Sequence, residues 1–370
     1  LVRDIRVADQ ALGRDHRYLL RGEVLNRELF AKSLVAKETI ERGTVVQEGM
    51  IKVQGPAKGL PPYKRKDLIG RKTIRTSEKD ECYVDEDLGQ SGNKNFNNAF
   101  KGDWGLIARF TDYQDMLKYE PKVIEFHLAE NDFDIPFEPS GNLDCKLVVH
   151  CPEYLGENLM DLCCIDDQIR KKSIDLVLRT FRITEEISPY FSKGVKIIVH
   201  PGAMSLQAKL DPQQLEDQLI RSLTEIRQKT GNGNIELLLE NLPPYPWYFG
   251  GQWKGNYFMD GKEIANLCQE QQINICYDLS HAALYCNAKE QSLEQHIVTL
   301  LPYIRHLHLA DGYGLDGEGV QFGEGDVDLD AILPLFAGYS HTWVPEIWRG
   351  HLQGGAGFVE ALKYLERFDF

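Results

Sequence analysis

The chain contains no apolar run approaching the roughly 18 residues that a membrane-spanning helix needs, so it is not expected to be a membrane protein. No secretory apolar segment opens it. Its eight cysteines (Cys82, Cys145, Cys151, Cys163, Cys164, Cys268, Cys276 and Cys286) show neither CxxC pairing nor the regular spacing of a disulfide framework. Reduced thiols and a cytoplasmic location are the expectation. Neither GxGxxG nor the Walker spacing is present, so its glycines do not predict a phosphate cradle. Excess positive charge is missing where a nucleic acid would need it. Residues 1 to 90 carry 18 Lys+Arg and 15 Asp+Glu, which leaves 24 and 41 of the chain totals of 42 and 56 for the remainder, or net charges of +3 and −17. A field that negative repels a phosphate backbone, and no nucleic-acid partner is expected.

At 370 residues the chain exceeds the usual single domain, and two are expected. It begins with Leu1 in a charged, helix-like stretch, which reads as a piece of something longer. Residues 1 to 28 read as a helix and linker, and residues 29 to 90 alternate short β-branched runs with Gly, Pro and charged turns, the pattern of a small irregular β domain. Nothing in that first domain has catalytic spacing.

From residue 98 to 370 the rhythm changes. Eight apolar runs (WGLIARF, KVIEFHL, KLVVHC, VKIIVH, IELLLE, INICYD, IRHLHLA and TWVPEIW) are mostly separated by stretches of helical period such as DPQQLEDQLIRSLTEIRQKT. Strands alternating with helices over this length predict an α/β fold, a (β/α)₈ TIM barrel. The polar residues fall at the ends of the runs. His150, His200, Glu240, Asp278, His308 and Glu346 lie at or near the carboxyl ends of the third to eighth strands, the last four at intervals of 38, 30 and 38 residues, one βα unit each time. The barrel brings all those ends to one face, where catalytic groups belong.

Three carboxylates gathered with three imidazoles would leave like charges buried together, at several kcal/mol per unpaired ion. A divalent cation removes that cost. Mixed carboxylate and imidazole donors suit manganese, zinc, cobalt or iron without choosing among them. Alternation along HLHLAD turns both His306 and His308 into the barrel. His308, nearer the carboxyl end, is the ligand, and His306 orients it or fills the core. The glycine-rich segment after Ala310 is expected to form a flexible polar rim.

Two resemblances extend this reading. SLVAKETIERGTVV, GPAKGLPP and DLIGRKTIRTSEKDE resemble the antifreeze-like (SAF) domain of sialic acid synthases, and LVRDIRVADQALG resembles the helix that leads into it. That likeness implies a basic residue offered to substrate, here Lys32. It also implies a homodimer and a synthase barrel preceding these 370 residues. VHCPEYLGENL, VHPG, LLLENLP, YDLSH, HLHLAD, FGEGDVDL and PEIW resemble the xylose isomerase-like barrels, which include sugar isomerases, sugar epimerases and endonuclease IV.

The isomerase and epimerase branch implies that Glu240, Asp278, His308 and Glu346 hold one divalent ion, manganese, zinc, cobalt or magnesium. It makes Glu240 and Glu346 the catalytic base and acid in proton transfer through an enediolate. His150, His200 and His281 then face substrate, and Arg349 and His351 bind an acid or phosphate group on it. Trp247, Trp253, Trp348 and Tyr285 are candidates to stack on a sugar. The endonuclease branch makes His150, His200 and His281 zinc ligands instead, but its Asp-Arg-His triplet, which holds a third zinc, is replaced here by Gly317-Glu318-Gly319. The leading expectation is therefore a metal-dependent sugar isomerase or epimerase linked to sialic acid or surface polysaccharide synthesis. A metal-dependent phosphoesterase and a non-catalytic sugar-binding scaffold are the alternatives.

Overall fold

The computed structural model describes residues 1–12, 22–23, 30–55, 57–89, 96, 100–206, 210–231 and 233–368. The chain divides into two compact units, Leu1–Ser91 and Gly92–Phe370. In the first, Val2–Leu12 is helical, and the rest of the expected linker to residue 28, apart from 22–23, lies outside the described residues. Ser33–Ala36 pairs antiparallel with Ile51–Gln54, and single bridges join Val35 to Cys82, Ile40 to Ser77 and Val45 to Lys72. Leu34, Ile40, Val46, Ile51, Leu60, Leu68 and Tyr83 form its small core.

The second unit is a closed barrel of eight parallel strands: β1 (Asp103–Ala108), β2 (Val123–His127), β3 (Lys146–His150), β4 (Ser192–Val199), β5 (Ile235–Glu240), β6 (Asn274–Asp278), β7 (Ile304–Leu309) and β8 (Thr342–Pro345). Each pairs with its sequence neighbours, and β8 closes on β1. The eight apolar runs of the sequence are these eight strands.

Alternation along each strand separates two cores. Val123, Val148, Ile198, Leu238 and Cys276 pack together inside the barrel. Their neighbours Ile124, Leu147, Val149, Ile197, Leu239, Ile275 and Leu307 pack outward in the larger core under the helices. Those helices form where the sequence supplies caps and a 3.6-residue stripe. Over Pro212–Thr230 the side chain of Asp211 accepts from the Gln213 amide, Pro212 fills the first turn, and Leu215, Leu219, Leu223 and Ile226 are buried on one face. The helix ends at Gly231, whose φ of 64° suits a residue without Cβ.

The register of β1 against β2 depends on close approach at Gly105, which pairs with Val123. A Cβ there would lie 2.4 Å from the Val123 carbonyl oxygen. Gly105→Ala is expected to spread the two strands and to destabilise the barrel by about 1–3 kcal/mol. Urea unfolding of the two proteins would measure this, and an unchanged midpoint would contradict it.

Candidate active site

The carboxyl ends of β5 to β8 each deliver one group to the mouth of the barrel. Glu240 ends β5, Asp278 ends β6, His308 is the penultimate residue of β7, and Glu346 follows β8. One donor atom from each of these four lies within 4.8 Å of the other three. His308 Nδ1 is 2.6 Å from Glu346 Oε2 and 3.4 Å from Glu240 Oε1. Glu240, Asp278 and His308 are almost fully buried, and about a third of the Glu346 side chain is exposed, 29%.

Local hydrogen bonds fix this geometry. Asp278 caps the helix Leu279–Lys289. Its Oδ1 accepts from the His281 amide at 2.6 Å and from Ser280 Oγ at 2.9 Å. Asn241 ties β5 to β6, donating from Nδ2 to the Asp278 carbonyl while its Oδ1 accepts from the Asp278 amide. His281 donates from Nδ1 to the Asn241 carbonyl, and His150 donates from Nδ1 to the Cys151 carbonyl. In both rings Nε2 is left directed at the site.

Charge is unevenly shared among these groups. Burial, with Glu346 and Glu240 nearby, pushes the Asp278 carboxyl up to about 7 against the opposing pull of His281. Burial also acts to raise Glu346, but the His308 imidazolium outweighs it and holds that carboxyl at about 2. Glu240 is likewise held well below the usual range by His308 and His200 in spite of its burial. His200 is raised to about 9, because Glu240 and Glu153 overcome the burial of its ring.

His308 Nδ1 and Glu346 Oε2 are close, yet neither has a hydrogen-bond partner, and both atoms are buried. Two such polar atoms, clustered within 4.8 Å of two more carboxylates, are a donor set of the kind that holds a divalent cation. A second group adjoins the first through Glu240. His150, Glu153 and His200 offer donor atoms within 4.8 Å of one another. His150 Nε2 and His200 Nε2 lie 3.2 and 3.5 Å from Glu240 Oε2.

Residues 140–368 match the xylose isomerase-like TIM barrel family. The chain belongs to that family. Among solved structures it is similar to a D-tagatose 3-epimerase-like protein (16% identity, TM-score 0.52, covering 72% of this chain and 98% of the other). It is similar in the same way to an L-ribulose 3-epimerase (12% identity, TM-score 0.52, 72% and 94%). Both likenesses show the shared fold. Curated relatives include the human N-acetylneuraminate-9-phosphate synthase, 37% identical over 95 residues, and its mouse counterpart, 36% identical over 95 residues. The chain spans about a quarter of the length of these synthases, 26%, and the match takes in 25% of this chain. An uncharacterized protein of Methanocaldococcus jannaschii is 22% identical over 270 residues, 71% of this chain and 80% of that one.

The structure brings Glu240, Asp278, His308, Glu346, His150, His200 and His281 together. Arg349 and His351 join several of them in lining a cavity of about 350 Å³. Lys32 lies exposed in the first unit. Of the four aromatic candidates, Trp247 and Trp348 line the cavity. Tyr285 and Trp253 do not. The Tyr285 hydroxyl donates to Asp260 because its helix turns it away from the mouth, and Trp253 Nε1 donates to the Tyr248 carbonyl.

The segment expected to be a loose polar rim is an ordered hairpin, Asp311–Tyr313 against Gly317–Val320. The buried Asp311 carboxylate pins it and the turn that follows, accepting from the amides of Gly312, Gly323, Gly325 and Val327. The hairpin brings Glu318 Oε2 to 3.6 Å from His281 Nε2, whereas Asp316 is engaged by Trp247 Nε1 and Gln252 Nε2. Sequence reasoning missed Glu125, His127, Glu153 and Asn241. The first two were findable, since KVIEFHL alternates two polar side chains inward as HLHLAD does.

The charge distribution predicts the pH response of the chelator-treated protein. Asp278 at about 7 and His200 at about 9 both hold a proton more tightly than in the unfolded chain. The stability they contribute is therefore complete below the unfolded values, near 4 and 6.5, and is lost as pH rises through the folded ones. Glu240 and Glu346 are shifted the other way and act only below about pH 4.5. Thermal unfolding in chelator is expected to show a midpoint that falls steadily between about pH 5 and 9. A midpoint that rises over that range would show that the carboxylates and imidazoles are not coupled as described.

Proposed function

We propose that the barrel is a sugar isomerase or epimerase that depends on one divalent cation, with manganese, zinc, cobalt and magnesium as the candidate ions. The observation that carries this reading is the meeting of Glu240, Asp278, His308 and Glu346 from four successive strands, with donor atoms within 4.8 Å of one another and His308 Nδ1 and Glu346 Oε2 left without a hydrogen-bond partner among the described residues. A cation bound there supplies positive charge opposite the carbonyl and neighbouring hydroxyl oxygens of an open-chain sugar. Glu240 and Glu346 are the two carboxylates beside that position. One takes the proton from the carbon next to the carbonyl and the other returns a proton, to the same carbon in an epimerase or to its neighbour in an isomerase. His200 and His281, which line the cavity, and His150, whose Nε2 lies 3.2 Å from Glu240 Oε2, bind the hydroxyls. Trp247 and Trp348 supply apolar walls that exclude water, and Arg349 and His351 at the rim receive an acidic or phosphate group.

The likeness to N-acetylneuraminate-9-phosphate synthases supports a role in acidic amino-sugar synthesis, with a hexosamine-like or nine-carbon substrate. On that reading the first unit is an antifreeze-like domain that brings Lys32 to a substrate, the protein is a homodimer, and a synthase barrel accompanies it in the parent chain. No helix among the described residues is long and apolar enough to cross a membrane.

One observation favours a second reading. His150, Glu153 and His200 share Glu240 with the first donor set, as a two-cation phosphoesterase would require. The charge of −17 beyond residue 90 and the glycines at 317 and 319 weigh against a nucleic acid as its substrate.

Elemental analysis combined with solvent deuterium exchange over ketohexoses, N-acetylhexosamines and sialic-type acids separates these readings. One ion per barrel is expected, with deuterium entering next to a carbonyl. Glu240→Gln and Glu346→Gln should each slow that exchange by roughly 10²- to 10⁴-fold. Two ions together with phosphoester hydrolysis would favour the second reading. No tightly held metal and no effect of either substitution would leave a scaffold that binds sugar.

A further inference from the structure

Beneath the candidate cation site the barrel interior holds a carboxylate that no catalytic step uses. Glu125 on β2 has no solvent-exposed surface, and it lies among three imidazoles. Its Oε1 is 2.7 Å from His127 Nε2 and 2.9 Å from His308 Nε2. Its Oε2 is 2.7 Å from His306 Nε2. The contacts continue away from the site. His306 Nδ1 lies 2.6 Å from Thr342 Oγ1, and Lys196 Nζ donates to that same hydroxyl at 2.6 Å and to the Arg305 carbonyl at 2.8 Å. A polar column thus crosses the barrel from Lys196 on β4 to His308, through a layer that apolar side chains would ordinarily fill.

The column has a direction in chemical terms. An ionised carboxylate only accepts hydrogen bonds, so the Nε2 of His308 that faces Glu125 carries a hydrogen and donates it. Nδ1 is then the nitrogen that can give up its proton and offer a lone pair to a cation, and it is the atom that lies 2.6 Å from Glu346 and 3.4 Å from Glu240. A ring held only by packing can turn over and exchange its two edges. A ring clamped at Nε2 by a buried carboxylate, itself hydrogen-bonded to His127 and packed 2.7 Å from His306 Nε2, cannot do so without breaking that contact.

We propose that Glu125 is a positioning residue that clamps His308 through Nε2, so that Nδ1 is presented to a cation shared with Glu240, Asp278 and Glu346. This rests on the reading of those four residues as cation ligands. His306 then orients His308 through Glu125 rather than by direct hydrogen bonding, the two rings standing edge to face at 5.2 Å. A metal-bound imidazole whose other nitrogen is held by a carboxylate is both better oriented and more basic, and losing the carboxylate typically weakens binding by about 10- to 100-fold.

The full chain, stripped of metal, would be titrated with Co²⁺ in competition with a chromophoric chelator, and the visible absorption of the bound cobalt recorded. Glu125→Gln is expected to weaken Co²⁺ binding by about 10- to 100-fold and to change the cobalt absorption. Circular dichroism and the melting point of the metal-free variant report separately on folding. A folded Glu125→Gln protein with wild-type affinity and spectrum would overturn the proposal and leave the ligand assignment standing. Wild-type protein that takes up no cobalt would overturn the ligand assignment, and this proposal with it. Should Glu125→Gln fail to fold, His306→Gln removes the support one step farther out. It is expected to weaken cobalt binding in the same direction but by less, and unchanged binding in that variant would also count against the clamp.

Discussion

Three carboxylates at one barrel mouth, two buried and one partly exposed, are the constraint on which the rest of the site depends. Glu240, Asp278 and Glu346 present oxygens within 4.8 Å of one another. Two like charges about 4 Å apart repel by about 4 kcal/mol at the effective dielectric of a protein site, so the arrangement persists only where positive charge is placed among them. His308 does part of this, which is why Glu346 and Glu240 stay ionised in spite of burial. It does not do all of it, and burial, with Glu346 and Glu240 nearby, pushes the Asp278 carboxyl up to about 7.

The surrounding structure follows from holding that arrangement in place. Asp278 uses one carboxylate oxygen on the cap of the helix that begins at Leu279, so the His281 amide and the Ser280 hydroxyl fix where its other oxygen faces. Asn241 stitches adjacent strand ends together through two hydrogen bonds. Asp311 gathers four amides and turns a glycine-rich segment into an arm that carries Glu318 toward His281. Each of these groups is polar and buried, and each has its partners supplied by backbone that the barrel has already ordered.

Much of this was legible in the chain itself. The eight strands were readable because inward and outward positions both carry apolar residues in a covered parallel sheet, leaving short β-rich runs between helical stripes. The ligand candidates were readable because a polar side chain at the end of such a run has few structural reasons to be there. Glu125 escaped notice because it sits inside a run rather than at its end, where period-two alternation is easily taken for ordinary strand packing, whereas His127 ends β2 as Glu240 ends β5 and carried the same signal. Tyr285 and Trp253 went the other way. Proximity in sequence to a strand end suggested the mouth, but the phase of a helix and the path of a loop carried them elsewhere.

By itself the sequence determined the number and order of strands, the helix caps and the residue types available at each strand end, because these depend on local periodicity and on hydrogen bonds to nearby backbone. Tertiary structure alone decided which of those residues share a space. Glu125 meets His308 across 183 positions of chain, and His150 meets Glu240 across 90. Closure of β8 against β1 fixes the positions around the ring, and no local pattern encodes the distance between two side chains on opposite sides of a barrel.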